Sequence, residues 1–277
     1  MTRVEPISVD IDEAVERGES WQARLPRILR KLAGAAIYVA ILVLVWDLAV
    51  RFLQIRPYLI PAPAGVGEAL SDFGSLMVRH TAITLVEALV GFALAAVIGI
   101  VLAVIIVYAP VVRSFLLPTL VAVNATPKVA IAPVLVIWLG FGLESKYAMA
   151  FLLSFFPIVI NTARGLADVP VELLNYFRLM RATGFQTFVK ARLPHSLPYM
   201  FDGFKIALPI AVIGAIIGEF VAAREGIGFQ IMRAYSRLDT ELVFGAVITV
   251  AVISTLLFEL LVWLERRVLA WRPTSET

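Results

Sequence analysis

Cysteine is absent from the 277 residues, which excludes disulfides and thiolate metal sites but leaves the compartment open. Charge is scarce: Asp, Glu, Lys and Arg supply 16% of the chain, against roughly 25% in soluble domains. The two histidines, His80 and His195, lie far apart at the edges of different apolar segments, a placement that supports no metal site. No GxxxxGKS/T phosphate loop, HExxH or GxSxG motif occurs, so ATP hydrolysis by the P-loop route is not encoded and no nucleophile, base or metal set for an intramembrane enzyme is found. Residues 1 to 31 mix acids and bases without an apolar run or a small-residue cleavage site. A removed signal peptide is therefore not expected, and the first span serves as an uncleaved anchor.

What remains is apolar. Hydrophobic residues make up 60% of the chain, and a bilayer-crossing helix needs about 20 of them in succession. Six spans can be drawn, at 32 to 53, 80 to 108, 115 to 140, 146 to 165, 197 to 221 and 243 to 264, giving an all-α polytopic membrane protein. Residues 1–31 form an N-terminal segment, 32–265 the membrane domain, including a polar loop at 165–195, and 266–277 a tail. Pro118, Pro127 and Pro133 fall in the third span. They predict a kinked or unwound backbone, which a membrane tolerates only where protein or a cavity satisfies it, and hence a place inside the bundle. With the N-terminus inside, 15 Lys and Arg residues lie on the cytoplasmic side and 7 on the outer side. The positive-inside rule then puts both termini and the polar loop in the cytoplasm.

That loop carries two helix-period patterns. Val171, Leu174, Phe177 and Met180 recur at three-residue spacing, and Phe185, Phe188 and Val189 follow Gly184. Two short helices, each with one apolar face, are predicted, with Asp168 and Pro170 as start signals, Gly184 as the break, and Pro194 and Pro198 as the stop. On the outer side, 54 to 79 contains a short helical pattern over Val66 to Met77, and 222 to 242 reads as a glycine-bent connection of mixed charge.

Charges within spans are expensive and need partners. Lys128, in the third span, requires a cavity or an acidic partner, and a pathway role and a structural ion pair both fit. Glu219, towards the outer end of the fifth span, suits that partner or a gate residue. Asp202 with Lys205, and Asp47 with Arg51, have the spacing of ion pairs on one helix face. Gly214 and Gly218 form a small-xxx-small pair for close helix packing.

The polar loop resembles the cytoplasmic coupling loop of ABC importer permeases, whose motif is EAA, three residues, Gly, nine residues, then Ile-x-Leu-Pro. Counted back from Leu193-Pro194, the motif glycine falls at Arg181, the triplet at Asn175-Tyr176-Phe177 and the isoleucine at Ala191. Gly184 is expected to supply the bend in place of Arg181. The flanking sequence is similar to permeases for nitrate, taurine, sulfonates, riboflavin and pyrimidine thiamine precursors. The resemblance runs in order through Ile60-Pro61-Ala62-Pro63, Thr126-Pro127-Lys128, Trp138-Leu139-Gly140-Phe141-Gly142, Gly203-Phe204-Lys205 and Gly218-Glu219-Phe220 to Gly226-Ile227-Gly228.

The resemblance implies a type I importer permease in the bacterial inner membrane, working as a homodimer with a cytoplasmic ABC ATPase dimer and an extracytoplasmic binding protein. This chain would bind membrane lipid but no nucleic acid and no cofactor, with ATP and Mg²⁺ held by the ATPase. It assigns ATPase coupling to Asn175, Tyr176, Phe177, Met180, Arg181, Gly184, Leu193 and Pro194; Lys128 and Glu219 are the expected substrate-pathway residues. The implied solute is a small polar heterocycle such as riboflavin or a pyrimidine thiamine precursor. Nitrate, taurine or an aliphatic sulfonate is the alternative solute, and a secondary transporter the alternative class.

Overall fold

The computed structural model describes residues 21–271 and divides into two compact units, Met1–Pro63 and Ala64–Thr277. In the first, α1 (Trp21–Phe52) covers the expected first span, 32 to 53, except for its last residue. Arg51 Nε lies 2.7 Å from Asp47 Oδ2, forming the pair that the four-residue spacing predicts.

The second unit holds all but the first residue of α2 (Pro63–Asp72), then α3 (Gly74–Tyr108), α4 (Pro110–Ala125), a 3₁₀ turn (Lys128–Ile131), α5 (Ala132–Leu139) and α6 (Leu143–Ala167). It continues through α7 (Val171–Leu179), α8 (Gly184–Thr187), a π turn (Phe188–Arg192), α9 (Leu193–Ala222), α10 (Ile227–Ser236) and α11 (Thr240–Val268). Among the described residues, four helical stretches are long and apolar enough to cross a membrane: Gly74–Tyr108, Leu143–Ala167, Gly184–Ala222 and Thr240–Val268. Helix α4 and the stretch Lys128–Leu139, bent by 87°, make a fifth when taken as one span.

Helix α6 is the centre of this unit, packed along both α3 and α9. Small residues permit the approach. A Cβ on Gly91 would lie 2.8 Å from the Tyr147 carbonyl oxygen, and one on Gly214 would lie 2.7 Å from Ala150 Cα, so α3 and α9 close on the same turn of α6 from two sides. Gly218 meets Lys146 Cα one turn away, as the small-xxx-small spacing predicts. Towards the other end, Phe155, Phe156, Ile158 and Val159 of α6 pack with Ala95 of α3 and Ala207 of α9.

Three expectations need correction. The proline-rich third span bends at Thr126-Pro127, but within one copy of the chain it lies at the edge of the bundle and not inside it: Phe115, Ile137 and Trp138 are exposed to 75%, 80% and 74%. Its inward contacts rest on Leu120, Ala132 and Val136. The Val66 to Met77 pattern is split at Phe73 between α2 and α3. The 222 to 242 connection contains a helix, α10, which turns Ile227, Gly228, Gln230 and Ala234 inward.

Candidate functional site

The C-terminal ends of α3 and α6 and the start of α9 gather around the 168–192 loop. Arg192 NH1 donates to the Leu166 carbonyl at 2.7 Å and its guanidinium lies 5.4 Å from the Tyr108 ring centroid. Tyr108 meets Phe188 edge-on, and the Tyr199 hydroxyl donates to Asp168. These contacts fasten both ends of the loop to the apolar helices, leaving α7 and the turn after it outermost.

Within α7, Arg178 NH1 donates to Asn175 Oδ1 at 3.0 Å. The apolar face differs from the predicted one. Leu174 and Phe177 are half-buried, whereas Leu173, Tyr176, Leu179 and Met180 are exposed, Leu179 to 84%. Three-residue spacing follows a drifting stripe around a helix of 3.6 residues per turn, and packing selects Leu174 and Phe177 for the inward side.

The bend is at Arg181, not Gly184. Arg181 has φ +53°, in the left-handed region that favours glycine; this is the position where the motif places its glycine. Gly184 instead opens α8 behind a capping box, in which Thr183 Oγ1 accepts from Gln186 N at 3.2 Å and Gln186 Oε1 accepts from Thr183 N at 2.9 Å. Nor do Pro194 and Pro198 stop the second loop helix. The helical path runs unbroken from Gly184 to Ala222, with Leu193 and Pro194 half-buried in the first turn of α9. The wide π turn at Phe188–Arg192 joins the two parts, and Pro194 sits where the first turn of a helix tolerates a missing N–H.

At the opposite end of the unit, α3 presents His80, Thr84 and Glu87, all buried, on one face at spacings of four and three residues. Thr84 Oγ1 donates to Glu219 Oε1 at 2.6 Å and accepts from Ile227 N at 2.9 Å. The other Glu219 oxygen accepts from Gly228 N. His80 Nδ1 accepts from Gly226 N at 2.9 Å, and its Nε2 lies 2.6 Å from Gln230 Nε2. Gly226 has φ +106°, and a Cβ there would overlap the Glu219 carboxylate. The glycine thus lets the segment after α9 fold back over the buried acid. Lys146 of α6 reaches the same layer, with Nζ 3.6 Å from Glu87 Oε1.

Lys128 and Glu219 are not brought together. Lys128 Nζ donates to Asn124 Oδ1 at 2.6 Å and lies 4.7 Å from the Phe156 ring centroid, while Glu219 is bound to α3 and the 226–228 backbone. The Asp202–Lys205 pair forms at 2.8 Å, and Lys205 extends it to Glu265 of α11 at 3.0 Å. Sequence reasoning missed Thr84, Glu87, Lys146 and Gln230. The spacing of His80, Thr84 and Glu87 was the available signal, since it lines three polar groups along one face of an otherwise apolar helix.

Residues 72–270 match the model of the family described as binding-protein-dependent transport system inner membrane component. The chain is 34% identical over 237 residues to the formylaminopyrimidine transport permease protein ThiX of Halalkalibacterium halodurans, covering 85% of this chain and 94% of that protein. It is 36% identical over 245 residues to the riboflavin transport system permease protein RibX of Chloroflexus aurantiacus, covering 87% and 91%. Identity to the putative aliphatic sulfonates transport permease protein SsuC of Bacillus subtilis is 28% over 240 residues, covering 86% and 87%. A chain of the MetNI methionine ABC transporter, solved in inward-facing conformations, shares the fold with a TM-score of 0.58 at 23% identity, covering 71% of this chain and 96% of that one. Six ordered sequence motifs, a bundle of apolar helices and a family match across most of the chain agree: the chain belongs to the binding-protein-dependent transport system inner membrane components, as a permease subunit of an ABC importer.

Proposed function

We propose that two copies of this chain form the pathway of an ATP-driven importer in the bacterial inner membrane, with both termini and the 168–192 loop in the cytoplasm. A separate ATPase pair holds ATP and Mg²⁺, and a binding protein delivers the solute from outside. The observation that carries this reading is the exposed apolar face of α7 and its C-cap, Leu173, Tyr176, Leu179 and Met180, on a loop fastened to three apolar helices. Such a face on an aqueous loop calls for a protein partner. A cleft in the ATPase would cover it, and motion of the ATPase pair would pass through Arg192 and Tyr199 to α6 and α9. ATP-dependent closure would then shift the bundle between inward-open and outward-open states.

The solute is a small polar heterocycle. Identity is higher to the flavin and formylaminopyrimidine permeases than to the sulfonate permease, and the buried Lys146 is countered by Glu87 at 3.6 Å, an arrangement without anion bias. The test of the coupling assignment is copurification. Leu179→Asp, which leaves the half-buried Leu174 and Phe177 in place, is expected to abolish recovery of the ATPase with the permease while membrane insertion continues. Full ATPase recovery with that variant would refute the assignment.

A further inference from the structure

The face of α3 that carries His80, Thr84 and Glu87 is complete at two positions and incomplete at the third. His80 is engaged by Gly226 and Gln230, and Thr84 by Glu219 and Ile227. Glu87 is 1% exposed, yet neither of its carboxyl oxygens accepts a hydrogen bond from a donor of well-formed geometry; its buried neighbours are the Glu219 carboxyl group and Lys146. Its nearest cation, Lys146 Nζ at 3.6 Å, makes an ion pair beyond hydrogen-bonding distance. A buried carboxylate without donors is unfavourable, and a charge within a membrane-spanning helix points to a pathway by default.

Glu87 and Lys146 also line a cavity of about 660 Å³, together with Ile83, Leu143 and the 221–225 segment. A second cavity, of about 430 Å³, shares Ile83, Glu87, Leu143 and Glu225 with the first. Both volumes suit a small molecule. The ion pair of Arg79 with Glu225 joins α3 to the 221–225 segment beside them.

We propose that this cavity is a solute-contact site in which Glu87 accepts an N–H from the solute and Lys146 donates to an adjacent acceptor. The inference rests on the importer reading above and narrows its solute to a neutral heterocycle with a donor and an acceptor side by side on one edge. An aminopyrimidine has that edge in its amino group and ring nitrogen, and a flavin in its imide N–H and carbonyl. A sulfonate or nitrate offers acceptors alone, so it would satisfy Lys146 while setting a negative charge against Glu87. Both side chains are nearly closed off in this structure, so the solute enters as the 221–225 segment moves away from α3 and α6.

The test uses proteoliposomes carrying the permease, its ATPase and its binding protein, with uptake of 4-aminopyrimidine and riboflavin measured against taurine and nitrate. Glu87→Gln keeps the shape but replaces one acceptor with a donor, and heterocycle uptake at saturating binding protein is expected to fall at least tenfold. Uptake within twofold of the unaltered chain would overturn the proposal. Should Glu87→Gln fail to assemble, Ala223→Cys on the cavity wall decides: its labelling by an impermeant maleimide is expected to slow at least threefold with millimolar heterocycle and not with taurine. A labelling rate indifferent to heterocycle would overturn the site while leaving the importer reading intact. Transport of taurine or nitrate alone by the unaltered chain would instead reject the heterocycle reading, and the ligand proposed for this site with it.

Discussion

His80 Nδ1 accepts a hydrogen bond from the Gly226 backbone N–H at 2.9 Å, tying the segment after α9 to the first turns of α3. The bond closes a buried layer that also contains Thr84, Glu219, Gly228 and Gln230. His80→Ala leaves the Gly226 N–H buried without its acceptor, a loss of about 1–3 kcal/mol. Hydrogen exchange across 223–230 should accelerate in that variant while exchange across α6 stays unchanged; equal protection in the variant would show that the bond does not hold the segment.

The α3–α6–α9 packing predicts a contrast between two glycines. Gly214→Val places a side chain against Ala150 Cα and the Met149 carbonyl and should destabilise the bundle by about 1–3 kcal/mol. Gly184→Ala meets nothing within 4 Å and should be nearly neutral. Thermal unfolding in detergent compares them, and equal stability of the two variants would contradict the packing.

Arg181 holds a left-handed backbone at φ +53°, which disfavours a non-glycine residue by about 1–2 kcal/mol. Arg181→Gly should stabilise the loop by about 1 kcal/mol or less, since glycine also gains freedom in the unfolded chain. Slower limited proteolysis between α7 and α8 is the expected readout. Faster cleavage would mean that the arginine side chain contributes more than its backbone loses.

The absence of native cysteine makes orientation directly measurable. In intact cells, Arg224→Cys should react with a membrane-impermeant reagent and Glu172→Cys should be shielded, because the two sites lie at opposite ends of the unit. The reverse pattern would invert the topology.

The loop was legible in the sequence because it interrupts apolar spans with polar residues, and Leu193-Pro194 fixed its register. Its bend was not. Arg181 stands where a glycine is expected and takes the glycine's conformation, so composition pointed to Gly184, whose role belongs instead to the Thr183 cap. Pro194 and Pro198 misled because proline usually ends a helix, whereas a π turn and a first-turn position absorb Pro194 here. Local signals sufficed for the pairs Asp47–Arg51 and Asp202–Lys205. The Glu219 layer joins residues more than 130 positions apart, and which polar group meets which is decided by how α3, α6 and α9 pack at Gly91 and Gly214. Lys128 and Glu219 therefore read as partners by charge while the fold sends them to different neighbours.

The most direct measurement of the account is solute uptake into proteoliposomes containing this chain, its ATPase and its binding protein, with and without ATP and with proton and sodium gradients collapsed. Uptake that requires ATP and the binding protein and survives loss of both gradients is the predicted result. Uptake driven by an ion gradient without ATP would contradict the account.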